Sequence, residues 1–177
     1  MLKEEEIYIA MKEWLKGMCW QIIGGEPPAG TNVIPRIEIK DPSYRGRGSK
    51  GSKKVDLVSF KGGYFLLTEI KNRFSPHDVK KLEEITQKEE LRKAFLIALK
   101  EKRVFPRGAL SDEHYINTTD YMIKSLAFSY PQIAPYDNFI FFLVSPSISI
   151  KFGPEVPTSV RNLFLRSTTH TQDARGK

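Results

Sequence analysis

Residues 54–71 read KVDLVSFKGGYFLLTEIK, and this stretch decides the fold. Two apolar runs of strand-forming residues meet at Gly62-Gly63. A Gly-Gly pair is typical of a two-residue hairpin turn, because a type I′ turn needs a positive φ at both central positions. With the glycines in that turn, Lys61 pairs with Tyr64, and this pairing fixes the register of both strands.

The same register places charged side chains inside strands that are otherwise apolar. Asp56 falls opposite Glu69, with their β-carbons about 5 Å apart. Because side chains alternate along a strand, Lys71 shares the face of Glu69. Two opposed carboxylates in a partly buried setting repel each other and lose hydration, so they need a positive partner. Lys71 alone, or a divalent cation such as Mg²⁺, could fill that role.

Both faces of the hairpin also carry apolar side chains. The face of the two acids is expected to hold Val58, Phe60, Phe65 and Leu67, and the other face Val55, Leu57, Leu66 and Ile70. Strands that are apolar on both faces are typically central and covered. We therefore expect the hairpin to lie in the middle of a sheet.

The loop that precedes Asp56 is strongly basic. Residues 36–54 carry seven Lys or Arg against two acids, a net charge of +5 in a chain whose net charge is +7. One interpretation is a solvated surface loop, and the other is an electrostatic footprint for a polyanion such as nucleic acid. On the second interpretation, the residues expected to bind phosphate are Arg45, Arg47, Lys50, Lys53 and Lys54.

The composition bounds the class of protein. A length of 177 residues, 40% of them hydrophobic and 28% charged, fits a single folded domain over residues 1–177. No apolar run is long enough to cross a membrane, and the N-terminus lacks the features of a signal peptide, so a cytoplasmic, intracellular location is expected. The chain has a single cysteine, Cys19, so it cannot form an internal disulfide. The sequence lacks the P-loop pattern, so ATP hydrolysis is not expected.

The periodicity predicts a mixed α/β domain. The expected helices cover residues 4–17, 76–103 and 112–129. The expected strands cover residues 33–40, 54–61, 64–71, 138–145 and 147–152. A second capping pattern at 86–89 leaves open whether the middle helix is one or two, and residues 93–99 fit a helix or a strand. The expected architecture is a central mixed β-sheet with a three-strand antiparallel meander, flanked by helices.

The order of these residues resembles the signature of the PD-(D/E)XK nuclease superfamily, which has the restriction-endonuclease-like fold. That signature is an acid near the start of one strand, a hairpin, an acid-x-lysine string on the next strand, and then a helix. Here it is met by Asp56, by Glu69-Ile70-Lys71, and by a helix capped at Ser75. The resemblance covers about residues 1–100, and Val55 replaces the proline that often precedes the first acid.

The resemblance implies Mg²⁺-dependent hydrolysis of phosphodiester bonds in DNA, with Mn²⁺ as a substitute. It implies that Asp56 and Glu69 bind the metal together with the backbone carbonyl of Ile70, and that Lys71 lies beside the attacking water. Family members often carry another acid on the first helix. Glu6 is the candidate for this catalytic acid, and the alternatives are Glu4, Glu5 and Glu13.

The resemblance also implies a homodimer, because cutting both DNA strands takes two sites. Residues 106–136 go beyond the minimal fold and are expected to form an insertion for dimer contact or target recognition, while residues 167–177 form a loose tail. Two other functions are compatible with the sequence. One is a non-catalytic nucleic-acid-binding protein in which Lys71 neutralises Glu69 and Asp56 faces solvent. The other is an RNA-directed nuclease on the same fold.

Overall fold

A six-stranded mixed β-sheet forms the centre of the computed structural model, which describes residues 2–28, 34–44, 51–129 and 136–165. Its strands, in spatial order, are β1 (Gln21–Gly24), β4 (Leu57–Lys61), β5 (Tyr64–Ile70), β6 (Met122–Phe128), β7 (Phe139–Val144) and β8 (Ile148–Phe152). A separate antiparallel pair consists of β2 (Glu38–Lys40) and β3 (Ser52–Lys54). The helices are α1 (Glu4–Gly17), α2 (Pro76–Gln87), α3 (Glu89–Glu101), α4 (Asp112–Asn117) and α5 (Thr158–Asn162).

The central hairpin has the predicted register. β4 and β5 are antiparallel, with Lys61 opposite Tyr64 and Leu57 opposite Thr68. Gly62-Gly63 adopts φ angles of 57° and 88°, the positive values that the tight turn requires. The coarse fold prediction, a mixed α/β domain with a central mixed sheet and flanking helices, is confirmed.

The hairpin is covered on both faces, as predicted. On one face, α2, α3 and α4 enclose a core that includes Phe65, Leu67 and Phe95. On the other face, α1 and α5 enclose a second core that includes Leu57 and Leu66. Because β5 is paired on both sides, with β4 and β6, it is an interior strand of the sheet.

Val55 lies on the face opposite to the one predicted. It packs in the same core as Val58 and Phe65, whereas the alternation of side chains puts it with Leu57. The cause is a break in the strand: β3 ends at Lys54 and β4 begins only at Leu57. The two residues between them are free of the ladder, so the alternation does not carry across the break.

The prediction for the first strand of the meander is wrong. Residues 38–40 pair with 52–54 in the separate arm, and β1 takes the place beside β4. The reason is burial: Ile37 and Ile39 join the core against α3, which holds the arm on that helix. The spacing of apolar residues predicted a strand here correctly, but not which strand it pairs with.

The predicted helix over 112–129 is also wrong. α4 ends at Asn117, and β6 crosses the sheet between β5 and β7, parallel to both. β6 is buried along its whole length, and a nearly continuous apolar run cannot be told from a buried helix by periodicity. Residues 106–136 are therefore not a simple insertion, because β6 is a central strand of the sheet.

Several open points are settled by the observed elements. Residues 93–99 are helical, within α3, and the middle helix is two helices separated at Lys88. The predicted strands near the C-terminus are confirmed as β7 and β8. The tail at 167–177 lies outside the described residues. Among the residues that are described, no helix is long and apolar enough to cross a membrane.

Candidate functional site

Charged side chains gather at the open end of the hairpin, away from the glycine turn. Asp56 directly precedes β4, and the backbone N–H of Ile70 donates a hydrogen bond of 2.7 Å to its Oδ2. Asp56 lies one residue beyond the last pair of the ladder, Leu57 with Thr68, and is close enough to Glu69 for the two charges to interact. A carboxylate thus replaces the ladder bond where the two strands separate.

Glu69, on β5, is hydrogen-bonded to a side chain of α2. Its side chain has no exposed surface, and the ammonium of Lys81, from α2, donates a hydrogen bond of 2.6 Å to Oε2. The second oxygen, Oε1, is buried and has no hydrogen-bond partner within the described ranges. Half of this carboxylate is therefore left unsatisfied, which is unusual for a buried group.

Lys71 lies beside Asp56 rather than Glu69. Its Nζ is 3.8 Å from Oδ2 of Asp56 and 3.7 Å from Oε2 of Glu4 on α1. The structural ion pair between Lys71 and Glu69 that the sequence left open is not the observed pairing. Two lysines are present instead, one for each carboxylate.

The first-helix acid near the site is Glu4, not Glu6. Glu6 lies at the third position of α1, and its carboxylate accepts a hydrogen bond of 2.8 Å from the backbone N–H of Lys3. This capping interaction turns Glu6 back toward the start of the helix. Glu4, one of the alternatives considered, is the acid that approaches Lys71.

Asp78 is a further acid of the site, which sequence reasoning treated only as a first-turn helix residue. It is 5% exposed, its Oδ1 lies 3.9 Å from the Lys81 ammonium, and its Oδ2 has no hydrogen-bond partner among the described residues. A signal was available: Asp78 falls in phase with the buried Leu82 and Ile85, on the apolar face of α2. Lys81 lies one turn from Asp78, on the same side of the helix.

These groups open onto a cleft of about 630 Å³. Asp56 and Lys71 line it at one end, and its remaining lysines are Lys53, Lys54, Lys80 and Lys81. Glu69 does not line the cleft, whereas Lys81, which donates a hydrogen bond to it, does. The cleft therefore presents mainly ammonium groups to solvent.

The residues predicted to bind nucleic acid have different placements. Lys53 is paired with Glu84 of α2, and Lys54 donates a hydrogen bond of 2.8 Å to Oε1 of Glu26. Both ammonium groups are thus partly neutralised by acids. The other three candidates, Arg45, Arg47 and Lys50, lie outside the described residues.

The backbone beside Asp56 is held in place by the residues that directly follow β1. The N–H of Glu26 donates a hydrogen bond of 2.9 Å to the carbonyl of Val55. Beside it, Gly25 has a φ of 150°, and a Cβ built on it would overlap the carbonyl oxygen of Asp56. Only glycine fits this contact, because the two backbones touch directly.

The electrostatics of the site disfavour two ionised carboxylates. Burial, and then the charge of Asp56, raise the pKa of Glu69 to about 8, because together they outweigh the ammonium of Lys81. Burial also raises the pKa of Asp56, in spite of the hydrogen bond from Ile70 and the charge of Lys71. Burial alone would lower the pKa of Lys71, but the charges of Asp56 and Glu4 outweigh it, and the net shift is upward.

The donor set fits a hard divalent cation of the Mg²⁺ type. Carboxylate oxygens of Asp56 and Glu69, with the backbone carbonyl of Ile70, are the ligands such a cation prefers. The unpartnered Oε1 of Glu69 marks a buried acceptor that the described residues leave unused. No cluster of three or more Asp, Glu, His or Cys side chains arranged for metal binding occurs in the described part of the chain. A metal here would therefore complete its shell with water and substrate oxygens, as Mg²⁺ commonly does.

No family model, curated protein or solved structure matches the chain. The interpretation of the site accordingly depends on its geometry. Two carboxylates and two lysines meet at the open end of the hairpin, beside a cleft rich in ammonium groups.

Proposed function

We propose that the protein is a metal-dependent endonuclease that hydrolyses phosphodiester bonds in DNA, on a restriction-endonuclease-like fold. The observation that carries the proposal is that Asp56 and Lys71 line a basic cleft, with the buried Glu69 hydrogen-bonded to Lys81 of the same lining. The helix α1, the hairpin β4–β5 and the helix α2 follow one another in that order along the chain, which supports the proposal.

The proposed roles follow from the chemistry of each group. Asp56 and Glu69, with the carbonyl of Ile70, would hold Mg²⁺ or Mn²⁺. The bound cation supplies a water of lowered pKa and neutralises charge on the phosphate. Lys71, held 3.8 Å from Oδ2 of Asp56, places an ammonium beside that water and the reacting phosphate.

The cleft supports a polyanionic substrate. Lys80 lines it and makes no ion pair with the described residues, so its charge is free to face a phosphate. Lys53 and Lys54 can exchange their carboxylate partners for phosphate, at the cost of breaking those pairs. Neutralising phosphates in this way releases counterions, which makes binding salt-dependent.

A cleavage assay with metal and substrate varied independently tests the proposal. Supercoiled plasmid and single-stranded RNA are each incubated with the wild-type protein in Mg²⁺, in Mn²⁺ and in EDTA. We expect nicking and linearisation of the plasmid with either metal and none with EDTA, and loss of cleavage in Lys71→Met. Lys100→Met is the matched control, because Lys100 pairs with Asp112 on the surface and does not line the cleft.

The assay has outcomes that contradict the proposal. Cleavage in EDTA, or full cleavage by Lys71→Met, would rule out this site as a metal-dependent catalytic centre. Cleavage of the RNA with the plasmid left intact would replace DNA by RNA as the substrate, the alternative that the sequence left open.

A second candidate function is non-catalytic nucleic-acid binding. The observation that favours it is the ion pair between Lys81 and Glu69, which partly neutralises the buried acid without any metal. This function predicts binding that weakens with salt and is the same in Mg²⁺ and EDTA, with no cleavage. A gel-shift titration under both conditions, run beside the cleavage assay, separates the two functions.

A homodimer completes the endonuclease proposal, because two sites are needed to cut both strands. Sedimentation equilibrium of the wild-type protein, alone and with a short duplex, measures the number of chains. A single chain on DNA that nonetheless yields linear plasmid in one binding event would contradict the dimer.

A further inference from the structure

We propose that the ammonium of Lys81 occupies the position that a divalent cation takes on Glu69, so that metal binding and the Lys81–Glu69 pair exclude each other. The inference depends on the proposed function for the identity of the cation, and it goes further by giving Lys81 a defined positioning role. Lys81 would set the metal concentration at which the site fills.

The first step of the argument is access. Glu69 has no exposed side-chain surface and does not line the cleft, whereas Lys81 does line it and is 19% exposed. The Lys81 Nζ is 2.6 Å from Oε2 of Glu69. A divalent cation that binds Oε2 of Glu69 must therefore displace the Lys81 ammonium, and this hydrogen bond must break first.

The second step is charge. The Lys81 ammonium lies among acids, 2.6 Å from Glu69 and 3.9 Å from Oδ1 of Asp78. One oxygen of each of these two acids has no hydrogen-bond partner among the described residues. One ammonium thus serves both acids, and removing it without replacement would leave the buried Glu69 without its ion-pair partner. A divalent cation replaces the lost charge and adds another.

The third step is where Lys81 goes. A lysine has a flexible four-carbon stem, and this one already borders the cleft beside Lys80. Once released from Glu69, its ammonium faces the same space as the phosphate of a bound nucleic acid. Lys71 differs, because its partners are Asp56 and Glu4, at 3.8 and 3.7 Å, and it does not cover Glu69. The exchange therefore couples metal binding to a more positive cleft.

Metal binding by matched variants tests the inference directly. Mn²⁺ is titrated into the wild-type protein, Lys81→Met and Lys80→Met, with free Mn²⁺ measured by electron paramagnetic resonance at fixed pH and salt. We expect Lys81→Met to bind Mn²⁺ roughly tenfold more tightly than the wild type, because no hydrogen-bonded ion pair has to be displaced. Lys80→Met removes the same charge from the same cleft, and its affinity should stay within about twofold of the wild type because that charge is solvent-screened.

A second measurement uses the wild-type protein and does not depend on how a variant folds. Brief acetylation with an amine-reactive reagent, followed by peptide mass spectrometry, reports the access to each lysine with and without Mn²⁺. We expect acetylation of Lys81 to rise several-fold with Mn²⁺, because its ammonium is released into the cleft, and that of Lys80 to stay unchanged.

The outcomes separate this inference from the proposed function. Equal Mn²⁺ affinity in wild type and Lys81→Met, or no metal-dependent change in Lys81 acetylation, would overturn the role of Lys81 and leave the metal site standing. No Mn²⁺ binding by any of the three proteins would overturn the metal site, and with it both the endonuclease and this inference. Binding by Lys81→Met alone would support the inference in its strongest form.

Discussion

The two ends of the β4–β5 hairpin differ in the hydrogen bonding of their polar side chains. At the turn, Lys61 donates hydrogen bonds of 2.7 Å to the carbonyls of both Met18 and Leu163. The hydroxyl of Tyr115 donates a bond of 2.8 Å to the carbonyl of Gly63 and accepts one from the backbone N–H of Leu110. These polar side chains all have partners.

The open end leaves polar atoms without partners. Glu69 and Asp78 each have one buried carboxylate oxygen with no hydrogen bond in the described part of the chain, and the hydroxyl of Tyr8 is in the same state. Buried polar groups are ordinarily satisfied, and the exceptions mark sites with another task. Two further buried atoms without a partner among the described residues, Nε1 of Trp20 and Oγ of Ser59, lie away from this end. What distinguishes the open end is that its unpartnered atoms include carboxylate oxygens, the type of atom that can bind a cation.

The largest expected effect is on cleavage. Asp56→Asn should lower the rate of plasmid cleavage in Mg²⁺ by about a thousandfold or more, because a metal-binding charge is removed at the reacting centre. Tyr115→Phe, at the turn, should leave the rate per folded molecule unchanged. Single-turnover assays at matched folded fractions measure both. Comparable losses in the two variants would show that the two ends are not functionally distinct.

The next effect is on stability as a function of pH. The pKa of Glu69 is about 8 in the folded protein, against an ordinary value of 4.5. Between these values the folded state holds a proton that the unfolded chain has lost, so the free energy of unfolding should fall as pH rises from 4.5 to 8. The expected slope is up to about 1.4 kcal/mol per pH unit.

Glu69→Gln should flatten this slope, because the amide does not titrate. Urea unfolding in EDTA, at intervals between pH 5 and pH 8.5, gives the free energies for both proteins. A wild-type stability that rises with pH across this window, or an identical slope in the variant, would contradict the raised pKa.

A pair of identical substitutions sharpens the comparison on a smaller scale. Tyr115→Phe should destabilise the fold by about 1–3 kcal/mol, because the buried carbonyl of Gly63 and the N–H of Leu110 both lose a partner. Tyr8→Phe should cost less than about 0.5 kcal/mol, since its hydroxyl has no partner among the described residues. Thermal and urea unfolding measure both. Equal costs would show that Tyr8 is satisfied after all, for instance by an ordered water.

The smallest expected effect concerns nucleic-acid affinity. Glu84→Gln releases Lys53 from its ion pair and should steepen the dependence of binding on salt by about one charge. Fluorescence anisotropy with a labelled duplex, over a series of salt concentrations, gives the slope. Glu13→Gln is the control, because Glu13 pairs with Lys16 on the surface of α1. A slope that does not change would show that Lys53 contributes nothing to binding.

Local rules are sufficient for the ladder of the hairpin. The Gly62-Gly63 turn allows one register, and counting residues outward from it gives the observed pairs as far as Leu57 and Thr68. The prediction needed no knowledge of the remaining chain. The prediction fails at Val55, because the strand is interrupted there and side chains no longer alternate in register with β4.

The missed features depend on packing between distant segments. Lys81 and Asp78 reach the site because α2 packs on the sheet at β6, the neighbour of β5, which no local pattern specifies. The choice of Glu4 over Glu6 depends on a backbone capping bond at the start of α1. β6 was mistaken for a helix because both of its faces are buried, which removes the alternation that identifies a strand.

The contact between Gly25 and the carbonyl of Asp56 has a consequence for mutational scanning. A side chain at that glycine would displace the acid while leaving every charge in place, so a scan scored by lost activity would rank Gly25 beside the carboxylates. Its sensitivity would reflect crowding between two main chains rather than any part in bond breaking. Positions that rank high in such a scan therefore divide into those that perform the chemistry and those that leave room for it.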